Sequence, residues 1–160
     1  MATGTAKPER KETMPASVLF ACNLNSIRST MAEAILKKLH GNSIFVDSAG
    51  VRPAEEADPF TAEVLREDGM APPASGPKGF DDLEETSFDL IVALTPEARD
   101  MAEKLTRASA TEVEFWAIAD PLASPTGGNR ERRLAAYREL RNQLRRAIET
   151  RFPCKESAAG

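Results

Sequence analysis

Cysteine occurs only twice, at Cys22 and Cys154, nearly the whole chain apart. Thiols so few and so widely spaced build no disulfide framework and no metal-ligand pattern, so the expectation is a reducing, cytoplasmic protein with no metal and no cofactor. Histidine occurs once, at His40 beside the helix-ending Gly41. A surface position or a contact with the helix C-terminus is expected for it, and nothing pairs it with Cys22 in a Cys-His catalytic arrangement. No apolar run approaches the roughly 20 residues of a membrane span, and the N-terminus has no apolar signal core. Positive charge is not in excess either, since the formal net charge is −4. Without a basic field the chain is expected to bind neither nucleic acid nor membrane, and any anion site has to be built locally.

What is present suffices for one domain with a full core at 160 residues. The expected organisation is a disordered leader over residues 1–14, a folded domain over 15–152 and a disordered tail over 153–160. Within the domain, buried strands are expected at Val18 to Ala21, from Ile44-Phe45-Val46 up to Asp47-Ser48-Ala49-Gly50, at Phe88 to Leu94 and at Glu112 to Ile118. Helical spacing places Ala32, Ile35, Leu36 and Leu39 on one face, with Glu33, Lys37 and Lys38 off it. Asp58-Pro59, Thr95-Pro96-Glu97 and Asn129 read as helix starts. The pairs Pro72-Pro73, Gly76-Pro77 and Lys78-Gly79 make Ala71 to Gly79 a loop. In the last helix Leu134, Tyr137, Leu140, Leu144 and Ile148 share a face, leaving Arg132, Arg133, Arg138, Arg145 and Arg146 mostly solvated. Trp116 is expected in the core. Strands alternating with helices call for an α/β fold, an open parallel sheet covered on both sides.

The chemistry concentrates in residues 18–36. A buried strand ends at Cys22, a helix begins near Ser29, and the polar loop between them can turn its N–H groups and the helix's unpaired amides onto one tetrahedral oxyanion. The loop residues Asn23, Leu24, Asn25, Ser26 and Ile27, with Ser29, are the candidate substrate-binding positions. Amide dipoles and a guanidinium favour the thiolate of Cys22, which is the nucleophilic form. Arg28 can grip two phosphate oxygens with its planar fork. Ser29 can donate its hydroxyl to the sulfur. Attack on a phosphate ester also needs an acid facing the nucleophile, and Asp120, stiffened by Pro121 after the fourth strand, is the best candidate.

Cysteine, five residues, arginine and serine, set between a buried strand and Met31-Ala32-Glu33-Ala34, resembles the low-molecular-weight protein tyrosine phosphatases and the thioredoxin-coupled arsenate reductases that share their fold. The resemblance implies a three-layer domain with sheet order 2-1-3-4, Asp120 as general acid, and Asn25 as a support of the loop. Ser48 is placed to assist from the end of strand two. Cys22 and Asp120 then meet beyond the C-terminal ends of the strands. The implied ligands are a phosphorylated protein or a small phosphomonoester, and the oxyanions phosphate, sulfate and arsenate.

The departures shape the functional reading. Leu24 replaces the usual glycine, Ile27 the usual cysteine, and Leu122 and Ala123 stand where the phosphatases carry tyrosines that pack on a substrate ring. Thr95 stands where the reductases carry the first relay cysteine, and Cys154 is a poor substitute for it. The leading expectation is a cysteine-dependent phosphomonoesterase. The alternatives are a single-cysteine arsenate reductase served by an external thiol, and a non-catalytic oxyanion-binding module.

Overall fold

Strand β1, Ser17–Cys22, buries successive side chains on opposite faces, and the two faces seed separate cores. Val18, Phe20 and Cys22 pack beneath helices α1 (Arg28–His40), α2 (Pro59–Glu67) and α4 (Arg130–Arg151), whereas Leu19 and Ala21 pack with Ala98 and Ala102 of α3 (Pro96–Leu105). An unbroken apolar run is what a strand covered on both sides requires. The chain is described by a computed structural model over residues 14–84, 87–122 and 129–153. The expected leader up to residue 13, residues 123–128, and Cys154 with the rest of the expected tail lie outside the described residues.

The other strands are β2 (Phe45–Gly50), β3 (Leu90–Ala93) and β4 (Glu112–Phe115), all parallel, in the order β2-β1-β3-β4. Pairing brings Cys22 opposite Gly50 and Ala21 opposite Ala93. The order reverses between β1 and β3, so the C-terminal end of β1 opens into the crevice where such sheets bind ligands. Strand β4 is shorter than its β-rich sequence implied. It has nothing to pair with once β3 ends at Ala93, whose carbonyl takes the Trp116 N–H at 2.9 Å. Trp116 still packs edge-on against Phe20, with ring centroids 6.1 Å apart, and the chain then leaves the sheet.

Three helix starts follow their sequence signals. Asp58 Oδ1 accepts from the Phe60 and Thr61 amides, Thr95 Oγ1 from Ala98, and Asn129 Oδ1 from Glu131 and Arg132. Two charged residues depart from the helical pattern. Glu33, expected off the apolar face of α1, is 1 % exposed. It is tolerated there because it accepts from Ser48 Oγ and pairs with Lys37 Nζ at 2.6 Å. On α4 Arg132, Arg145 and Arg146 are exposed and Arg133 and Arg138 half-buried, as their spacing suggested, and the departure is Arg141, which is buried. Arg138 forms a fork with Glu67, Arg145 meets Asp68, and the buried Arg141 binds the Val64 carbonyl, Glu67 and Asp68, so this face is a seam against α2.

The seam predicts an acid-sensitive contribution to stability. Hydrogen bonds from Arg138 and then Arg141 hold the Glu67 carboxyl down at about 2 from its ordinary 4.5. A group depressed in the folded state stabilises above its unfolded value and loses that contribution as pH falls through the folded one. Melting temperatures recorded between pH 4.5 and 2 should therefore fall less steeply for Glu67→Gln than for the parent. Parallel curves would show that the pair is fully screened.

Candidate active site

The loop from Cys22 to Arg28 is held by its carbonyls. The Cys22, Asn23 and Leu24 carbonyls accept from the amides of Val51, Arg52 and Ala54 at 3.0, 2.8 and 2.9 Å, so the segment after β2 runs along the loop's outer side. Thr61 Oγ1 of α2 takes the Ser26 carbonyl at 3.0 Å, and the Ile27 carbonyl enters the α1 ladder through Met31 at 2.9 Å. With these carbonyls tied outward, the peptide N–H groups are turned the other way. Among the described residues no side chain caps α1, and the amides of residues 23–28 have no backbone acceptor. A ring of free amides at a helix N-terminus is an oxyanion cradle.

One residue supplies the turn. Asn25 has φ +54° and is the single non-glycine with positive φ among the described residues. Leu24 therefore keeps an ordinary backbone, and replacing glycine there demands no left-handed conformation. Its side chain projects outward instead, 47 % exposed.

Asn25 also anchors the cradle through its carboxamide. Its Nδ2 donates to Ser29 Oγ at 2.8 Å and to Ser48 Oγ at 2.9 Å, while its Oδ1 accepts from the Lys78 amide at 2.9 Å. Ser29 Oγ lies 3.0 Å from Cys22 Sγ. Because the Ser29 oxygen already accepts from Asn25, its proton is free to point at the sulfur. The expected supporting parts of Asn25, Ser29 and Ser48 thus converge on Cys22, which is 2 % exposed. Sequence reasoning missed Lys78 and Glu33. Lys78 fastens its loop by an ion pair with Asp47 at 2.7 Å, and Glu33 fixes the Ser48 hydroxyl from behind.

Arg28 opens α1, and its Nη1 donates to the Ile118 carbonyl at 3.0 Å. This bond ties the segment after β4 to the loop and leaves the opposite edge of the guanidinium for a ligand. Two residues on, Asp120 is exposed, and its Oδ1 accepts from Leu122 N at 2.9 Å, which forms an Asx turn across Pro121. Leu122 is 42 % exposed, and no aromatic stands beside it on this loop. His40 is elsewhere, ending α1 with its Nε2 at 2.8 Å from the Phe152 carbonyl. A cavity of about 600 Å³ lined by Lys37, Lys38 and His40 lies at that far end of α1. Among the described residues no cluster of His, Cys, Asp and Glu could hold a metal ion.

Three comparisons bear on this arrangement. The family described as low molecular weight phosphotyrosine protein phosphatase matches residues 17–150. A protein-arginine-phosphatase of Geobacillus stearothermophilus is 32 % identical over 149 residues, spanning 85 % of this chain and 93 % of that protein. An arsenate reductase of Halalkalibacterium halodurans is 29 % identical over 133 residues, spanning 83 % and 92 %. The structure of the YwlE arginine phosphatase from Geobacillus stearothermophilus superposes with a TM-score of 0.68 at 26 % identity, covering 91 % of this chain and 95 % of that one.

Proposed function

The chain belongs to the low molecular weight phosphotyrosine protein phosphatase family, and from that membership and the cradle at Cys22 we propose a phosphomonoesterase acting through a cysteinyl-phosphate. The observation that carries the reading is the Ser29 hydroxyl 3.0 Å from Cys22 Sγ, within a loop whose amides at residues 23–28 have no backbone acceptor among the described residues. The Cys22 thiolate attacks phosphorus, and the bond to the ester oxygen breaks. Arg28 and the amides of residues 23–28 bind the oxygens on which charge builds in the transition state. Asp120 gives its proton to the departing oxygen, then takes one from the water that cleaves the sulfur–phosphorus bond. Phosphate leaves and the thiolate is restored.

On the loops that carry Cys22 and Asp120 the exposed large apolar side chains are Leu24 and Leu122, which in this reading form an aliphatic wall. Such a wall gives a phosphotyrosine ring nothing to stack on. A small or flexible leaving group fits it better, on a phosphorylated protein or a free phosphomonoester. The Geobacillus relative brings phosphoarginine into the same class, since the cradle recognises the phosphoryl group and not the atom behind it.

Asp120→Asn tests the acid. Loss of a general acid costs about 10²–10⁴ in rate, and the loss grows as the leaving group worsens. An alkyl phosphate should therefore slow far more than para-nitrophenyl phosphate. Equal losses would assign Asp120 to loop positioning alone.

Arsenate reduction by an external thiol is the second reading, favoured by the same cradle, because arsenate matches phosphate in shape and charge. It needs two electrons that water cannot supply. Thr95, at the first relay position, is engaged in two hydrogen bonds, to Ala98 N and Asn23 Oδ1, and offers no thiol. Purified protein should hydrolyse para-nitrophenyl phosphate with no reductant beyond that keeping Cys22 reduced, and thioredoxin with arsenate should give no arsenite. Thioredoxin-dependent arsenite formation lost in Cys154→Ser would reverse this assignment.

A further inference from the structure

We propose that the Asn23 carboxamide is a specificity-determining donor at the mouth of the cradle, recognising a polar acceptor on the leaving group, and that Thr95 sets its orientation. The proposal rests on the phosphomonoesterase reading of the same site.

Thr95 is buried, 3 % exposed. Its Oγ1 accepts the Ala98 amide at 3.1 Å, capping α3, and lies 2.8 Å from Asn23 Oδ1. A hydroxyl has two acceptor sites and one proton. If Asn23 were turned to offer its Nδ2, the Thr95 oxygen would accept twice, and its buried proton would have no partner. An unmade hydrogen bond at a buried group is costly, so the proton goes to Asn23 Oδ1. The amide is thereby fixed with its NH₂ directed away from Thr95.

That NH₂ group has no hydrogen bond to an acceptor among the described residues. The Asn23 backbone is equally fixed, its carbonyl held by the Arg52 amide at 2.8 Å. Asn23 directly follows the nucleophile and is half-buried. A free, oriented donor on the residue next to the nucleophile complements an oxygen carried close to the ester bond. Leu24, its exposed neighbour, supplies only apolar contact. Leaving groups with a hydroxyl or carbonyl near the ester oxygen are therefore favoured over plain alkyl groups of the same length.

Glycerol 1-phosphate and propyl phosphate supply the comparison, because they share a three-carbon chain and differ in hydroxyls. The parent protein should show the higher kcat/KM with glycerol 1-phosphate, the difference lying mainly in KM. Asn23→Leu should lower that preference by about five- to tenfold, the size of one neutral hydrogen bond. Thr95→Val should lower it in the same direction, Thr95→Ser should retain it, and the Asn23→Leu/Thr95→Val pair should lose no more than Asn23→Leu alone. A preference absent in the parent, or unchanged in Asn23→Leu, overturns the proposal. So does a Thr95→Val effect that adds fully to that of Asn23→Leu or appears only as a lower melting temperature, which would reduce Thr95 to a helix cap. Failure of the parent to hydrolyse either ester or para-nitrophenyl phosphate would instead overturn the phosphomonoesterase reading, and this inference with it.

Discussion

Arg28→Lys is expected to lower kcat/KM for para-nitrophenyl phosphate by about 10²–10³ while the protein stays folded, the range seen when one preorganised oxyanion donor is removed. Charge alone does not explain a loss of that size, because lysine keeps it. What lysine lacks is the planar fork, whose two edges serve different partners here. One edge holds the Ile118 carbonyl at 3.0 Å, and in the proposed mechanism the other grips the phosphoryl oxygens. An ammonium group cannot do both, so the substitution loosens the segment carrying Asp120 and weakens the grip on the transition state together. Steady-state kinetics with circular dichroism as the folding control reads this directly. Undiminished activity in Arg28→Lys would leave the arginine as a surface residue.

Gly50→Ala is expected to cost about as much, for a purely steric reason. Gly50 pairs with Cys22 across the sheet, and a Cβ there would lie 2.7 Å from the Asn23 carbonyl oxygen, 2.8 Å from Asn25 N and 2.9 Å from Leu24 C. All three are backbone atoms of the cradle, so no side chain can swing aside to make room. The loop has to shift, and a displacement of about 1 Å at a reacting centre costs about 10²-fold. Gly76→Ala is the contrast. Gly76 has φ +78° but open space around the missing Cβ, so its substitution strains the chain and lowers melting temperature without moving the cradle. Equal activity in Gly50→Ala and the parent would show that the loop is not held by this contact.

These two residues illustrate what the sequence could and could not reveal. The placement of Arg28 was legible because it is local: a buried strand, a polar loop and a helix follow one another from Ser17 to His40, and the hydrophobic pattern marks each. The sheet order followed from the family resemblance, and the helix starts at Asp58, Thr95 and Asn129 from capping chemistry. Gly50 was seen only as the end of a strand, since its closeness to the loop depends on parallel register between β1 and β2. Glu33 defeats periodicity altogether. Helical spacing sends a carboxylate outward unless a partner waits inside, and Ser48 belongs to a different element. Thr95 was legible as a cap, but its second bond reaches Asn23 across 72 positions. The truncation of β4 has the same origin, because a β-rich run pairs only as far as its neighbour extends.

The central claim is that Cys22 becomes covalently phosphorylated during turnover. Rapid acid quenching of the enzyme with para-nitrophenyl phosphate, followed by peptide mass spectrometry, tests it most directly. The account predicts one phosphoryl group on the peptide containing Cys22, accumulating further in Asp120→Asn if hydrolysis of the intermediate becomes limiting, and absent in Cys22→Ala. Turnover that proceeds with no phosphoryl group on Cys22, or undiminished in Cys22→Ala, would contradict it.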